Sequence, residues 1–177
     1  QIATHLIALT LREIFDFGFM QTDPNFANYR YQSDTGRIVL LDFGAARDIS
    51  APVARQYRRL LQAGLKDDAA GIQQIAQEIG FIDHATARNH CTQVITMIRL
   101  VMKALQDAPL VDFGKVELSQ RLQAEGIALA EDGFVPPPLP IEVLLLQRKF
   151  GGVFLLASRL GARVDVVGLL RPYLVEI

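Results

Sequence analysis

The sequence predicts a mainly α fold with one small β-hairpin near its start. Two observations carry this. Apolar residues recur at helical spacing through most of the chain, and continuously so after residue 50. One turn cluster, Ser33-Asp34-Thr35-Gly36, separates two short runs of β-type residues.

Residues 1–15 form the first expected helix, with Ile2, Leu6, Leu11, Ile14 and Phe15 at its spacing. Gly18 and Asp23-Pro24 end that pattern. Tyr29–Tyr31 and Arg37–Leu41 are the hairpin strands, and Ile38-Val39-Leu40-Leu41 reads as a strand buried on both faces. Ser50 is the expected N-cap of a helix running to Leu65, with Pro52 just inside its start. A second helix begins near Asp67 and stops at Gly80. Asp83 is the expected cap of a third, with Cys91, Val94, Ile95, Ile98, Met102 and Leu105 on one face. Pro109–Gly114 is a loop, and residues 115–131 a fourth helix. Four prolines within residues 133–140 make an extended connector. Helices near 141–160 and 165–175 close the chain.

Composition narrows the function classes. Of 177 residues, half are apolar and 21% charged, with 18 Lys+Arg against 19 Asp+Glu and a formal net charge of −1. That excludes a disordered chain and gives no support to a nucleic-acid partner, which calls for clustered basic residues. The single cysteine, Cys91, excludes an internal disulfide framework and suits a reducing compartment. Mean hydropathy is +0.22, which suggests surface meant to be covered. The most apolar stretch, Ile141–Leu160, is broken by Gln147-Arg148-Lys149 and reads as a buried core helix, not a membrane span. Without a starting Met or a basic head before an apolar run, the chain is expected to be part of a longer or trimmed protein.

Chemistry concentrates around the hairpin. Asp23 is followed by Asn28 five residues on, then the hairpin, then Leu40-Leu41-Asp42-Phe43-Gly44. Magnesium takes oxygen ligands from carboxylates, amide carbonyls and substrate phosphates. An Asn and an Asp at the two ends of a short hairpin can meet at one ion, and a further Asp can orient the attacking group. Asp-Phe-Gly itself discriminates nothing, since it occurs at 16–18, 42–44 and 112–114. Only the copy at 42 follows an apolar strand and an upstream Asp-x-x-x-x-Asn. Taken singly, Asp23, Asn28 and Asp42 read as turn residues; their order favours a metal–nucleotide site.

This order resembles the catalytic and metal loops of the protein-kinase fold, H-R-D-x-x-x-x-N then D-F-G. The resemblance implies the mainly helical C-terminal lobe of a kinase-like fold over residues 1–177. Residues 1–50 would hold the catalytic helix, loop, hairpin and metal loop, and residues 51–177 a helical subdomain. The departures are specific. Thr22 stands where kinases have Arg, Asn25 replaces the Lys two residues after the catalytic Asp, and no Ala-Pro-Glu occurs.

Those departures suit another family. Met20-Gln21-Thr22-Asp23-Pro24-Asn25-Phe26-Ala27-Asn28 and Leu40-Leu41-Asp42-Phe43-Gly44-Ala45-Ala46-Arg47 resemble the UbiB/ADCK (ABC-one) atypical kinases, in their Coq-type subgroup. Phe134-Val135-Pro136-Pro137-Pro138 and Arg148-Lys149-Phe150-Gly151-Gly152 resemble that subgroup's C-terminal part. The resemblance implies ATP and magnesium as cofactors and an ATPase-type activity supporting ubiquinone biosynthesis. Asp23 would be the catalytic carboxylate, Asn28 and Asp42 magnesium ligands, and Phe43 and Gly44 further cofactor-binding residues. The implied partners are a missing N-terminal lobe, nucleotide, ubiquinone-biosynthesis proteins and membrane lipid. The setting would be cytoplasmic or on the mitochondrial matrix side, peripheral to a membrane. The lobe alone is expected to be inactive. The competing reading is a non-catalytic, pseudokinase-like scaffold that binds partner proteins or isoprenoid lipids.

Bland readings serve elsewhere. His5, His84 and His90 lack zinc-ligand spacing. Arg55, Arg58 and Arg59 read as a solvated helical face, and Gly151-Gly152 as a place of close helix packing.

Overall fold

A computed structural model of the chain describes residues 1–175. Helices α1 (Ile2–Arg12), α2 (Ala51–Leu65), α3 (Ala69–Ile79), α4 (Arg88–Gln106), α5 (Glu117–Glu131), α6 (Ile141–Arg159) and α7 (Val166–Leu170) make up most of it, as the periodicity predicts. Three antiparallel two-stranded ladders interrupt them: β1 (Phe19–Gln21) with β4 (Ala46–Asp48), β2 (Tyr29–Gln32) with β3 (Arg37–Leu40), and β5 (Val111–Asp112) with β6 (Arg163–Val164). The single expected hairpin is thus one ladder of three. The other two use strands of two or three residues, too short to display a two-residue alternation.

The first two ladders are nested. Phe19 pairs with Asp48 and Gln21 with Ala46 on the outer ladder. Tyr29 pairs with Leu40 and Gln32 with Arg37 on the inner one. Loops 22–28 and 41–45 lie between them, each anchored at both ends. The β3 strand is not buried on both faces as expected. Ile38, Val39 and Leu40 are half-buried, and Leu41 is 55% exposed. The reason is topological: a two-stranded ribbon has only α1 and α6 on one side, where Ile38 and Tyr29 pack on Leu6, Val153 and Leu156.

The first helix is shorter than its periodicity suggests. After Arg12 the backbone widens into a π-helical segment, Glu13–Phe17, which Gly18 closes at φ +60°. Such segments are rare and recur at functional sites. Here it turns Glu13 inward, to 4% exposure.

Several helix starts differ from expectation. Ser50 does begin α2, with Pro52 in the first turn, but its hydroxyl donates to Glu142 Oε2 on α6 (2.8 Å) instead of capping α2. Asp68 caps α3 through Gly71 N, one residue later than expected, and Gly80 ends that helix. Asp83 caps a turn: it accepts from the amides of Ala85 and Thr86, and α4 starts only at Arg88. Of the expected apolar face of α4, Met102 alone is buried. The last elements among the described residues are a short α7 and a 3-10 turn, Arg171–Tyr173, where one helix near 165–175 is expected.

The main core gathers Ile14, Met20 and Ile49 with Val53, Tyr57 and Leu60 of α2, Ile72, Ile75 and Ile79 of α3, and Val143 and Leu146 of α6. The α6 helix buries only one stripe. Ile141, Leu144, Leu155 and Leu160 face out, so the all-round core helix expected here is a one-sided one. No helix among the described residues is long and apolar enough to cross a membrane. Of the α2 arginines, Arg55 and Arg59 are exposed, as a solvated face requires, and only Arg58 is half-buried. Arg59 pairs with Glu78, and Arg58 lies over the Phe15 ring.

Tyr57 carries a pH prediction. Burial pushes its phenol up to about 12, against the opposing hydrogen bond that Gln147 donates to it. Below pH 10 both folded and unfolded chains hold the proton. Between 10 and 12 only the unfolded chain releases it, so stability falls as pH rises. Two units correspond to roughly 2–3 kcal/mol. Thermal unfolding of wild type and Tyr57→Phe across that window should show the variant missing this loss.

Candidate functional site

The nested ladders bring the three singled-out polar residues to one open end. Asp23 lies just beyond β1, and its neighbour Thr22 N donates to Ala45 O (3.2 Å), which ties this loop to the one that carries Asp42. Asn28 closes a 3-10 turn, Phe26–Asn28, and its carbonyl accepts from Leu41 N (2.9 Å), one residue before Asp42. The Asn28 amide donates from Nδ2 to Asp23 Oδ2 (3.0 Å) and to Asp23 O (3.1 Å). Gln21 joins the two loops: its Oε1 accepts from Asp23 N (3.0 Å), and its Nε2 donates to Asp42 O. Thr22 Oγ1 adds a bond to Ala45 O (2.6 Å).

Exposure divides these residues. Asn28 is buried and Asp23 half-buried, whereas Asp42, Phe43 and Gly44 are exposed. Asp42 Oδ1 accepts from Gly44 N (2.7 Å). The copy at 112–114 forms the same local turn, with Asp112 Oδ1 accepting from Gly114 N (3.0 Å). At 16–18 the carboxylate instead takes the Tyr173 hydroxyl (3.0 Å). The turn alone therefore distinguishes nothing; the neighbours of Asp42 do.

Beneath the loop lies a buried ion pair. Lys149 of α6 is 1% exposed, and its Nζ stands 2.8 Å from Glu13 Oε2. It donates to Gln21 O (2.9 Å) and to the Tyr29 hydroxyl (3.3 Å). Glu13 Oε1 in turn accepts from Gln21 N (3.1 Å). Both backbone polar groups of Gln21 thus rest on one buried pair. One residue earlier on α6, Arg148 reaches Asp23 Oδ1 (3.3 Å). One turn later, a Cβ on Gly152 would collide with the Pro24 ring, while one on Gly151 would meet open space.

Reasoning from residue types overlooked Glu13, Gln21, Arg148, Lys149 and Gly152 as site residues. The Arg-Lys-Phe-Gly-Gly run was the available signal, and close packing at the glycine pair is correct for Gly152 alone. A buried charge inside an apolar helix is the other mark, because Lys is almost never fully buried unless paired.

The donor set suits magnesium. Asn28 commits Nδ2 to Asp23 and Asp42 commits Oδ1 to Gly44, so each keeps an oxygen that accepts no hydrogen bond among the described residues. A carboxylate and an amide oxygen are ligands that this hard cation prefers.

An Asp-x-x-x-x-Asn loop bonded to an Asp-Phe-Gly loop is the protein-kinase order of catalytic and metal residues. Residues 1–76 match the ABC1 atypical kinase-like domain. The mitochondrial atypical kinase COQ8B of Danio rerio is 33% identical over 92% of this chain and 26% of its own length. The mitochondrial atypical kinase COQ8 of Saccharomyces cerevisiae is 32% identical over 96% of this chain and 34% of its own. The chain belongs to the ABC1 family of atypical kinases. It spans about a quarter to a third of the length of the curated relatives it matches.

Proposed function

We propose that this chain is the magnesium- and nucleotide-binding part of an atypical kinase-like ATPase that supports ubiquinone biosynthesis. The observation that carries the reading is the joining of Asp23, Asn28 and Asp42 across two nested ladders, in a chain of the ABC1 family. In this reading residues 1–177 are the C-terminal lobe of a kinase-like fold. Residues 1–50 bear the site, and 51–177 form its helical support.

Asp23 orients the attacking hydroxyl or water. Its carboxylate is fixed between the Asn28 amide and Arg148, as positioning requires. Asn28 and Asp42 hold magnesium through their open oxygens. Phe43 and Gly44 shape the loop that presents Asp42. Magnesium held by Asn28 and Asp42 would supply positive charge that offsets the charge of the phosphates. The rest of the nucleotide site, biosynthetic partner proteins and a membrane surface on the mitochondrial matrix or cytoplasmic side complete the proposal. Turnover is expected of the full-length protein and not of this chain alone.

A second reading, a non-catalytic scaffold for partner proteins or isoprenoid lipids, draws on three exposed apolar side chains around the site. Phe26, Leu41 and Phe43 are 42%, 55% and 58% exposed.

A thermal unfolding scan of the full-length protein with and without MgATP separates the two. Ligand at about 100 times Kd adds roughly 2.7 kcal/mol and raises Tm. The expected shift requires magnesium and disappears in Asp42→Asn. A magnesium-independent shift, or one retained in the variant, rejects the assignment of Asp42 as a ligand. No shift in the full-length protein favours the scaffold.

A further inference from the structure

We propose that Arg148 is the residue that binds the terminal phosphate of ATP at this site, supplying the charge that position 25 lacks. The inference rests on the nucleotide reading above.

Its starting point is a deficit. Phosphoryl groups carry charge on several oxygens, and their recognition calls for a positive side chain beside the catalytic carboxylate. Kinases place a Lys two residues after that carboxylate. Here Asn25 occupies the position, and its side chain is spent locally: Oδ1 accepts from Ala27 N (3.0 Å) and caps the 3-10 turn that delivers Asn28. The loop from Thr22 to Asn28 contains no basic residue.

Among the described residues, four cations have recorded contacts with the loops or with the strands and side chains that border them, and three are committed. Lys149 Nζ is buried on Glu13, Gln21 O and the Tyr29 hydroxyl. Arg47 folds its Nη1 onto the carbonyls of Ala46 (2.7 Å) and Gly44 (3.5 Å). Arg159 lies over the Phe26 ring, 5.8 Å from its centroid. The fourth, Arg148, has its head group on Asp23 itself. Its contact with Asp23 Oδ1 at 3.3 Å is the one hydrogen bond it makes among the described residues, and its side chain is 65% exposed.

A guanidinium has five donors in a planar fork that matches phosphate, so most of its donors remain open on the solvent side of Asp23. The helix backbone that carries it is held in place. Lys149, the next residue, is locked beneath the loop, and Gly152, one turn on, lets Pro24 seat against α6. The helix therefore presents Arg148 at a fixed place beside the catalytic carboxylate, from 125 residues downstream.

Calorimetric titration of the full-length protein with MgADP and with a magnesium complex of a non-hydrolysable ATP analogue tests this. In Arg148→Gln, affinity for the analogue should fall roughly ten- to a hundredfold, as for loss of a charge-assisted hydrogen bond. MgADP affinity should change less than about twofold. Arg148→Lys should retain part of the preference. Equal weakening of both nucleotides, or no weakening, overturns the assignment and leaves the nucleotide reading standing. Absence of binding by the wild type overturns the nucleotide reading and this assignment with it.

Discussion

Lys149→Met is expected to lower stability by about 3–5 kcal/mol, the cost of breaking a buried ion pair from one side. For a unit of this size that is on the order of 10 °C in Tm. The loss is large because the charges have no solvent to return to: Lys149 is 1% exposed and Glu13 4%. Removing the ammonium leaves the Glu13 carboxylate buried with only the Gln21 amide as donor, and it leaves Gln21 O without its partner. Glu13→Leu combined with Lys149→Met removes both charges and should recover much of the loss, since apolar replacements of whole buried pairs are often neutral. The double-mutant cycle measured by chemical denaturation is the check. Additive losses of the two single variants would show that the pair does not act as a unit.

Gly152→Ala is the second large effect, and it separates from its neighbour. A methyl at 152 runs into the Pro24 ring, whose fixed geometry leaves it no way to yield. Either the loop moves off α6 or the helix does. Overpacking of this kind costs typically 1–3 kcal/mol. A shift of about 1 Å in a positioned group can cost about a hundredfold in rate, and Asp23 is the residue before Pro24. Gly151→Ala meets open space and should stabilise α6 by about 0.5–1 kcal/mol. The pair is compared by Tm and by nucleotide turnover of the full-length protein. Equal effects at 151 and 152 would reject the loop contact as the cause.

How much of this was legible follows from where each signal lies along the chain. Helices α2 and α3 declare themselves through periodicity and terminal chemistry at Pro52 and Gly80, and α6 through a long apolar run. Asp23, Asn28 and Asp42 stand out because their spacing falls within one short stretch, which a hairpin then folds together. What holds them is not local. Glu13 lies on a π-helical segment that has the same residue pattern as the helix before it. Lys149 reads in sequence as a polar interruption beside Gln147 and Arg148. In the structure only Lys149 turns inward, while Gln147 and Arg148 stay exposed. Its partners Glu13, Gln21 and Tyr29 all lie 120 or more residues upstream, beyond any period or turn rule. The β1–β4 ladder was missed for a related reason: three residues per strand, with no alternation, gain their meaning only from the pairing.

The Glu13–Lys149 footing also sets a schedule for synthesis. Gln21 and its support in α6 are separated by 128 residues. At about 5–20 residues per second, translation delivers the second roughly 6–25 s after the first. Until then the ribosome-bound chain holds loop residues 22–28 above a lone Glu13 carboxylate that water must solvate. Site assembly is thus deferred until the helix that carries Lys149 has emerged, so a chain interrupted before residue 141 lacks the footing of its site.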